Sequence, residues 1–233
     1  MYILGIDTST DILSAAVCTE TETLAEISFD AERSHAERII ETIESVLSEA
    51  NVSLRILDIL GVSRGPGSFT GVRIGVATMK GLALGAGKPL IGVSTLRAMA
   101  HLADSGATHV CPLIDARINE VYGAIYRRSQ QEWIAEMPDC VGPIESIVAS
   151  APENCVVLGD GTIRYADRLR AAAPHLRVLS AEKGRPSGAA VAREALAAFR
   201  AGNTGEPALV LPVYLRKSQP EEARRRAEET API

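Results

Sequence analysis

Apolar residues fall along the chain in two alternating rhythms, short near-continuous blocks and longer stretches spaced every three to four residues. Residues 2–10 (TyrIleLeuGlyIleAspThrSerThr) and 13–18 (LeuSerAlaAlaValCys) predict two paired strands joined by a polar turn. From Ser34 to Ala50, the residues Ile39, Ile40, Ile43, Val46, Leu47 and Ala50 share an arc of about 120° at helical pitch, with Glu37, Glu41 and Glu44 opposite, so an amphipathic helix is expected. There follow a helical turn at 53–58, a buried strand at 59–63, a turn at 65–68 feeding a helix to Gly87, a strand at 88–93 and a helix from Ser94 or Thr95 to Asp104. The helix entered at Ser68 has two packing faces: Gly71, Gly75, Thr78, Leu82 and Gly85 line one, and Val72, Val76, Met79 and Ala83 line the other. A helical glycine costs about 1 kcal/mol relative to alanine, so a stripe of them implies close approach of another backbone. That neighbour is either this chain itself or a second subunit.

The second half repeats the opening. A shift of 108 residues brings LeuGlyIleAsp (4–7) onto LeuIleAsp (113–115) and AlaAlaVal (15–17) onto GlyAlaIle (123–125) without a gap, with an Asp closing the first strand of both copies. Duplication of a hairpin-led unit predicts two similar lobes, residues 1–106 and 107–233; chance likeness of two hairpins is the other reading. Helices are expected at 143–149, 162–172 and 187–200, and a strand running into a loop at 155–161. This alternation gives an α/β fold with mixed sheets flanked by helices. The segment 221–229 carries balanced charge and no apolar stripe, so it is a solvated helix end or tail, or else an arm touching RNA or a partner.

Composition narrows the function. With 233 residues, 46% hydrophobic and 23% charged, the chain is an ordinary globular protein with ample core. No apolar run is long enough to span a bilayer and no charged leader opens the sequence, so a cytosolic protein is expected. Residues 1–107 hold 8 Lys and Arg against 13 Asp and Glu, a net charge of −5, whereas 108–233 hold 16 of each. The first half is therefore unsuited to binding RNA or DNA by itself, because such affinity draws on phosphate neutralisation by cations. Aromatics at 4% give no stacking platform. Cys18, Cys111, Cys140 and Cys155 lack CxxC spacing and read as reduced structural thiols.

Three loops could carry chemistry. GlyProGlySerPheThrGly (65–71) lacks both the Walker lysine and the GxGxxG spacing, so it reads as a turn with Ser68 as N-cap, or as a helix start that holds an anion. Asp7 with Thr8 and Ser9, and Gly159, Asp160 and Gly161, either form Asx-type turns or hold a magnesium-bound nucleotide. His35, His101, His109 and His175 show no HxxxH or HExxH spacing, and no GxSxG elbow is present, so neither a helical metal site nor a hydrolase is supported.

Taken in order, LeuGlyIleAspThrSerThr (4–10), SerHisAlaGluArgIleIle (34–40), GlyProGlySerPheThrGlyValArgIleGly (65–75), GlyLysProLeuIleGlyValSerThrLeu (87–96), LeuIleAspAlaArgIleAsnGluValTyrGlyAlaIleTyr (113–126), GlyAspGly (159–161) and ProValTyrLeuArg (212–216) resemble the TsaB (YeaZ) family over nearly the whole chain. The resemblance implies a two-lobed actin/Hsp70/sugar-kinase-like fold. It also implies a non-catalytic partner of the paralogue TsaD in bacterial tRNA modification. There, with the ATPase TsaE, threonylcarbamoyl passes from threonylcarbamoyl-adenylate, supplied by its own synthase, to N6 of the adenosine next to the anticodon. TsaD's metal-binding HxxxH pair would fall on Thr95 and Met99, which cannot replace it, so no metal is expected. The same loss counts against the old glycoprotease label of the superfamily. In the family the first two helices form the partner surface, which carries over to His35, Arg38, Ile39, Gly71, Gly75 and Thr78. A bulky residue at Gly75 should then weaken pairing and spare the fold. A homodimer is expected for the chain in isolation, with ATP or ADP at the subunit seam of the complex. The rival reading is an independent ATPase or kinase using Asp7 and GlyAspGly (159–161).

Overall fold

A computed structural model describes residues 1–31, 34–130 and 132–216; the charged segment at 221–229, with Arg224 to Arg226, lies outside them. The first half contains β1 (Ile3–Asp7), β2 (Ile12–Cys18), β3 (Thr23–Asp30), α1 (His35–Glu49), β4 (Ile59–Ser63), α2 (Phe69–Ala86), β5 (Leu90–Val93) and α3 (Thr95–Ala100). The second contains β6 (His109–Arg117), β7 (Glu120–Ser129), β8 (Glu132–Gly142), α4 (Ile144–Val148), β9 (Val156–Leu158), α5 (Asp160–Arg164), α6 (Ala166–Ala172), β10 (Arg177–Val178) and α7 (Gly188–Arg200).

Two five-stranded sheets result, ordered β3-β2-β1-β4-β5 and β8-β7-β6-β9-β10. In each, the leading strand pairs antiparallel with the next strand and parallel with the fourth, so the two sheets share one topology. The repeat seen in the sequence is thus a repeat of architecture, with Asp7 ending β1 and Asp115 two residues before the end of β6. The pairing is not identical: Gly5 faces Ala16, but Leu113 faces Gly123, one residue short of the gapless match. An irregularity between Asp115 and Arg117 absorbs the difference.

β1 and β4 are buried at every position, because helices cover both faces of the first sheet. Leu4, Ile6, Leu60 and Val62 pack beneath α1 and α2 with Ile39, Ile43, Val76 and Met79. The alternate residues Ile3, Ile59 and Ile91 pack against Val191, Ala192 and Ala195 of α7. The second sheet is covered likewise: Leu113, Cys111 and Val157 meet Ile147 and Leu169 on one side, and Val110, Ile114 and Tyr126 meet Leu96 and Met99 of α3 on the other.

The two halves therefore exchange helices. α3, encoded in the first half, covers the second sheet, and α7, encoded in the second half, covers the first. A division of the chain at 106/107 follows the strands but not these helices. α3 is pinned to its adopted sheet by Ser94, whose hydroxyl donates to Asp139 Oδ2 (2.5 Å), while Tyr126 donates to Asp139 Oδ1 (2.6 Å). α3 and α7 are joined by the nearly buried Glu194, which pairs with Arg97 (2.8 Å) and His101 (2.9 Å). Among the described residues no helix is long and apolar enough to cross a membrane.

Candidate functional site

The ends of β1 and β4 carry the first candidate loop. Asp7 Oδ1 accepts from the Ser9 backbone N–H (2.8 Å) and the Ser9 hydroxyl (2.7 Å), which is an Asx turn. Burial pushes the Asp7 carboxyl above its ordinary value; the Ser9 bonds, the nearby Ser63 hydroxyl and His35 pull the other way. The turn is clamped to the start of α2: Thr8 Oγ1 donates to the Gly71 carbonyl (2.8 Å), and the Ser68 N–H donates to the Ser9 carbonyl (2.6 Å). Ser68 is the N-cap, accepting from the Gly71 N–H at 3.2 Å.

This clamp decides the meaning of the glycines. A β-carbon at Gly67 would overlap the Ser9 carbonyl oxygen, one at Gly71 the Thr8 carbonyl oxygen, and one at Gly75 the Thr8 hydroxyl. The close neighbour of Gly71 and Gly75 is thus this chain's own turn. A bulky residue at Gly75 would strike Thr8, so the expectation that it spares the fold is corrected.

The second loop mirrors the first. Asp115 Oδ1 accepts from the Arg117 N–H (2.9 Å), the same Asx turn one repeat later, and from the Tyr165 hydroxyl (2.8 Å). Arg164 pairs with Asp115 Oδ2 at 3.1 Å. Asp160 Oδ1 accepts from the Asp115 N–H (2.9 Å), and burial raises its carboxyl despite that bond. Gly159 has φ +102°, and a β-carbon there would overlap the Leu113 carbonyl oxygen. Asp7, Thr8, Ser9 and Asp160 are all engaged internally, and backbone fills the space beside Gly67, Gly71 and Gly159. These residues do not fit the phosphates of ATP or ADP as an open cradle would.

Thr95 is fully buried at the start of α3, and Met99 lies in the core between α3 and the second sheet. His101 is paired with Glu194 and His109 with Glu136, while His35 is buried and its Nε2 has no partner among the described residues. Among the described residues no group of three or more His, Cys, Asp or Glu could hold a metal ion.

Of the residues carried over to the partner surface, His35, Ile39, Gly71 and Gly75 point inward. Arg38 is exposed and lies 3.7 Å over the Phe29 ring, and Thr78 lines an open groove of about 650 Å³ between α1 and α2. The groove is formed with Ile40, Leu54, Gly81, Leu82 and Gly85, and Arg55 stands among its walls. Nothing lies within 4 Å of where a β-carbon would stand on Gly81 or Gly85. Ile40, counted with the buried arc in the sequence, is 47% exposed. The stripe on α2 thus changes function along its length, from internal packing at Gly71 and Gly75 to an open groove at Thr78, Leu82 and Gly85, with Gly81 beside them. Gly85, an unfavourable helical glycine beside which no described residue packs, was the available signal for the groove.

A family model described as TsaD: tRNA N6-adenosine threonylcarbamoyltransferase matches residues 27–165. The tRNA threonylcarbamoyladenosine biosynthesis protein TsaB of Escherichia coli (strain K12) is 44% identical over 144 residues, which cover 60% of this chain and 62% of that protein. The chain thus spans less than two thirds of this relative's length. The solved structure of YeaZ from Pseudomonas aeruginosa is 32% identical with a TM-score of 0.81, covering 92% of this chain and 99% of that one. A ROK hexokinase from Thermus thermophilus, 17% identical with a TM-score of 0.54, covers 87% of this chain and 100% of its own; it shares the fold alone.

Proposed function

This chain belongs to the TsaB (YeaZ) family of tRNA threonylcarbamoyladenosine biosynthesis proteins, and from that premise we propose that it is a non-catalytic dimerisation subunit of the tRNA-modifying complex. In this reading it pairs with a TsaD-family transferase, which performs the transfer of threonylcarbamoyl to tRNA with the ATPase TsaE. The observation that carries the reading is the groove between α1 and α2. Its glycines leave room for another helix, Ile40 offers apolar surface at its edge, and none of the described residues occupies it. A second copy would seat on the same face in the absence of the partner.

The acidic balance of the first half, where the groove lies, favours a protein over RNA as its occupant. The rival reading as an independent ATPase or kinase would need Asp7 and the glycine turns free for phosphate, whereas Asp7 holds Ser9, Thr8 holds Gly71, and Gly159 lies against the Leu113 carbonyl. Reconstitution tests the proposal: tRNA modification by the TsaD-family protein, TsaE and the threonylcarbamoyl-adenylate synthase should collapse when this chain is omitted. Undiminished modification without it would overturn the reading, as would ATP turnover by the chain alone.

A further inference from the structure

The turn joining β6 to β7 is built unlike its counterpart in the first sheet. There, Thr8, Ser9 and Thr10 are buried under the start of α2. Here Arg117, Ile118 and Asn119 stand exposed, and all three take left-handed backbone angles, with φ of 64°, 52° and 61°. None is glycine, and Ile118 is β-branched, the residue class that resists this region most. Such strain persists only when the surroundings enforce it, and it gathers where a chain meets a ligand or partner.

The surroundings do enforce it. Asp115 Oδ1 takes the Arg117 N–H (2.9 Å), Arg168 donates to the Asn119 carbonyl (3.1 Å), and Arg216 donates to the Ala116 carbonyl (3.1 Å) while pairing with Glu120 (3.4 Å). Asp115 is itself fixed by Tyr165 and Arg164. The result is a rigid knob with an isoleucine, 59% exposed, at its apex. Three carboxylates around it are already paired, Asp115 with Arg164, Glu120 with Arg216 and Glu145 with Arg168, and the fourth, Asp160, is buried against the Asp115 N–H. Among the described residues none pairs with Arg117, so the apex presents one uncompensated cation beside one apolar side chain.

We propose that Arg117 and Ile118 form a second docking point, taking a protein partner in the same tRNA-modifying assembly whose surface offers an apolar socket edged by carboxylates. This rests on the proposed membership of that assembly. A phosphate backbone would satisfy Arg117 but offer nothing to Ile118, so the pairing of the two favours protein over RNA. A preformed knob also binds without the ordering cost that a loose loop incurs.

The test uses the full chain in the reconstituted assembly, containing the TsaD-family protein, TsaE and tRNA. An aliphatic diazirine amino acid at position 118 should cross-link to a protein peptide in which acidic residues flank apolar ones, and Arg117→Glu should reduce that product. Ile118→Asp should slow modification by about tenfold or more, with Ile118→Val close to the parent. Ile118→Gly should raise the melting temperature by relieving strain and yet slow modification, a combination that a merely structural turn would not give. Cross-linking to tRNA, no cross-link at all, or full activity in Ile118→Asp would overturn the proposal. If omitting the whole chain leaves modification unchanged, the parent reading falls with it; if omission matters and Ile118→Asp does not, only the knob falls.

Discussion

Gly5 on β1 and Gly188 at the head of α7 meet backbone to backbone. A β-carbon on Gly5 would overlap the Gly188 carbonyl oxygen, and one on Gly188 would lie 2.6 Å from the Gly5 carbonyl oxygen. Neither obstacle is a flexible side chain that could swing aside. Alanine at either position should therefore destabilise the protein by about 3 kcal/mol, at the upper end of overpacking costs, by forcing α7 off the first sheet. Urea unfolding of Gly5→Ala and Gly188→Ala, compared at constant slope, measures this.

The same α7 terminus is held by Glu26, whose Oε1 accepts from the Ser187 hydroxyl (2.6 Å), the Ser14 hydroxyl (3.0 Å) and the Ala189 N–H (3.3 Å). Ser14 in turn accepts from the Gly188 N–H at 2.8 Å. Glu26→Ala should cost about 1 kcal/mol, the scale of losing a helix cap at a partly exposed site. Because Ser187 shares the network, Glu26→Ala and Ser187→Ala should be less than additive in a double-mutant cycle read by thermal unfolding.

Two glycines on one helix should answer oppositely to the same substitution. Gly81→Leu enters open space and gains up to about 1 kcal/mol of helix propensity, so the fold should be unharmed. It fills the groove, and pairing with the TsaD-family protein should weaken by about tenfold or more in calorimetry. Gly75→Leu should instead lower the melting temperature through its collision with Thr8.

Asp7 makes stability depend on pH in an uncommon direction for an aspartate. Its folded-state value lies above the unfolded value of 3.8, so the ionised carboxylate is the less favourable form inside the protein. The stability of the neutral form is complete below 3.8 and is lost as pH rises through the raised folded value. Asp7→Asn keeps an oxygen for the Ser9 bonds and should equal or exceed the parent stability at pH 7. That advantage should shrink as the pH falls towards 3.8; urea titrations across the series would show it, and an advantage that grows on acidification would contradict the assignment.

Periodicity made α1, α2, α7 and the central strands legible, because burial on a regular face leaves its mark on spacing alone. It also made the repeat legible, through Asp7 and Asp115 at or near the ends of their strands. The edge strands β3 and β8 escaped notice: most of their positions are exposed or only partly buried, and they carry charged residues such as Glu26 and Glu136. The glycine stripe announced a close backbone, but spacing has no means of naming which backbone, and Thr8 lies 67 positions before Gly75 in the chain. Nor could pattern assign α3 and α7 to opposite sheets, since an apolar helix face reads the same whichever surface it covers. The knob at Ile118 was hidden for a related reason, since a left-handed isoleucine contradicts the local preference of its own side chain.

The crossed helices have a consequence for the birth of the protein. A ribosome adding about 5 to 20 residues per second finishes β5, the last strand of the first sheet, roughly 5 to 20 s before it delivers α7. Throughout that delay the face bearing Ile3, Ile59 and Ile91 has no lid, although all its strands already exist. The nascent first half is a natural client for chaperones that shield apolar surface. Of the described α-helices, the last to be synthesised is the one that releases it from their care.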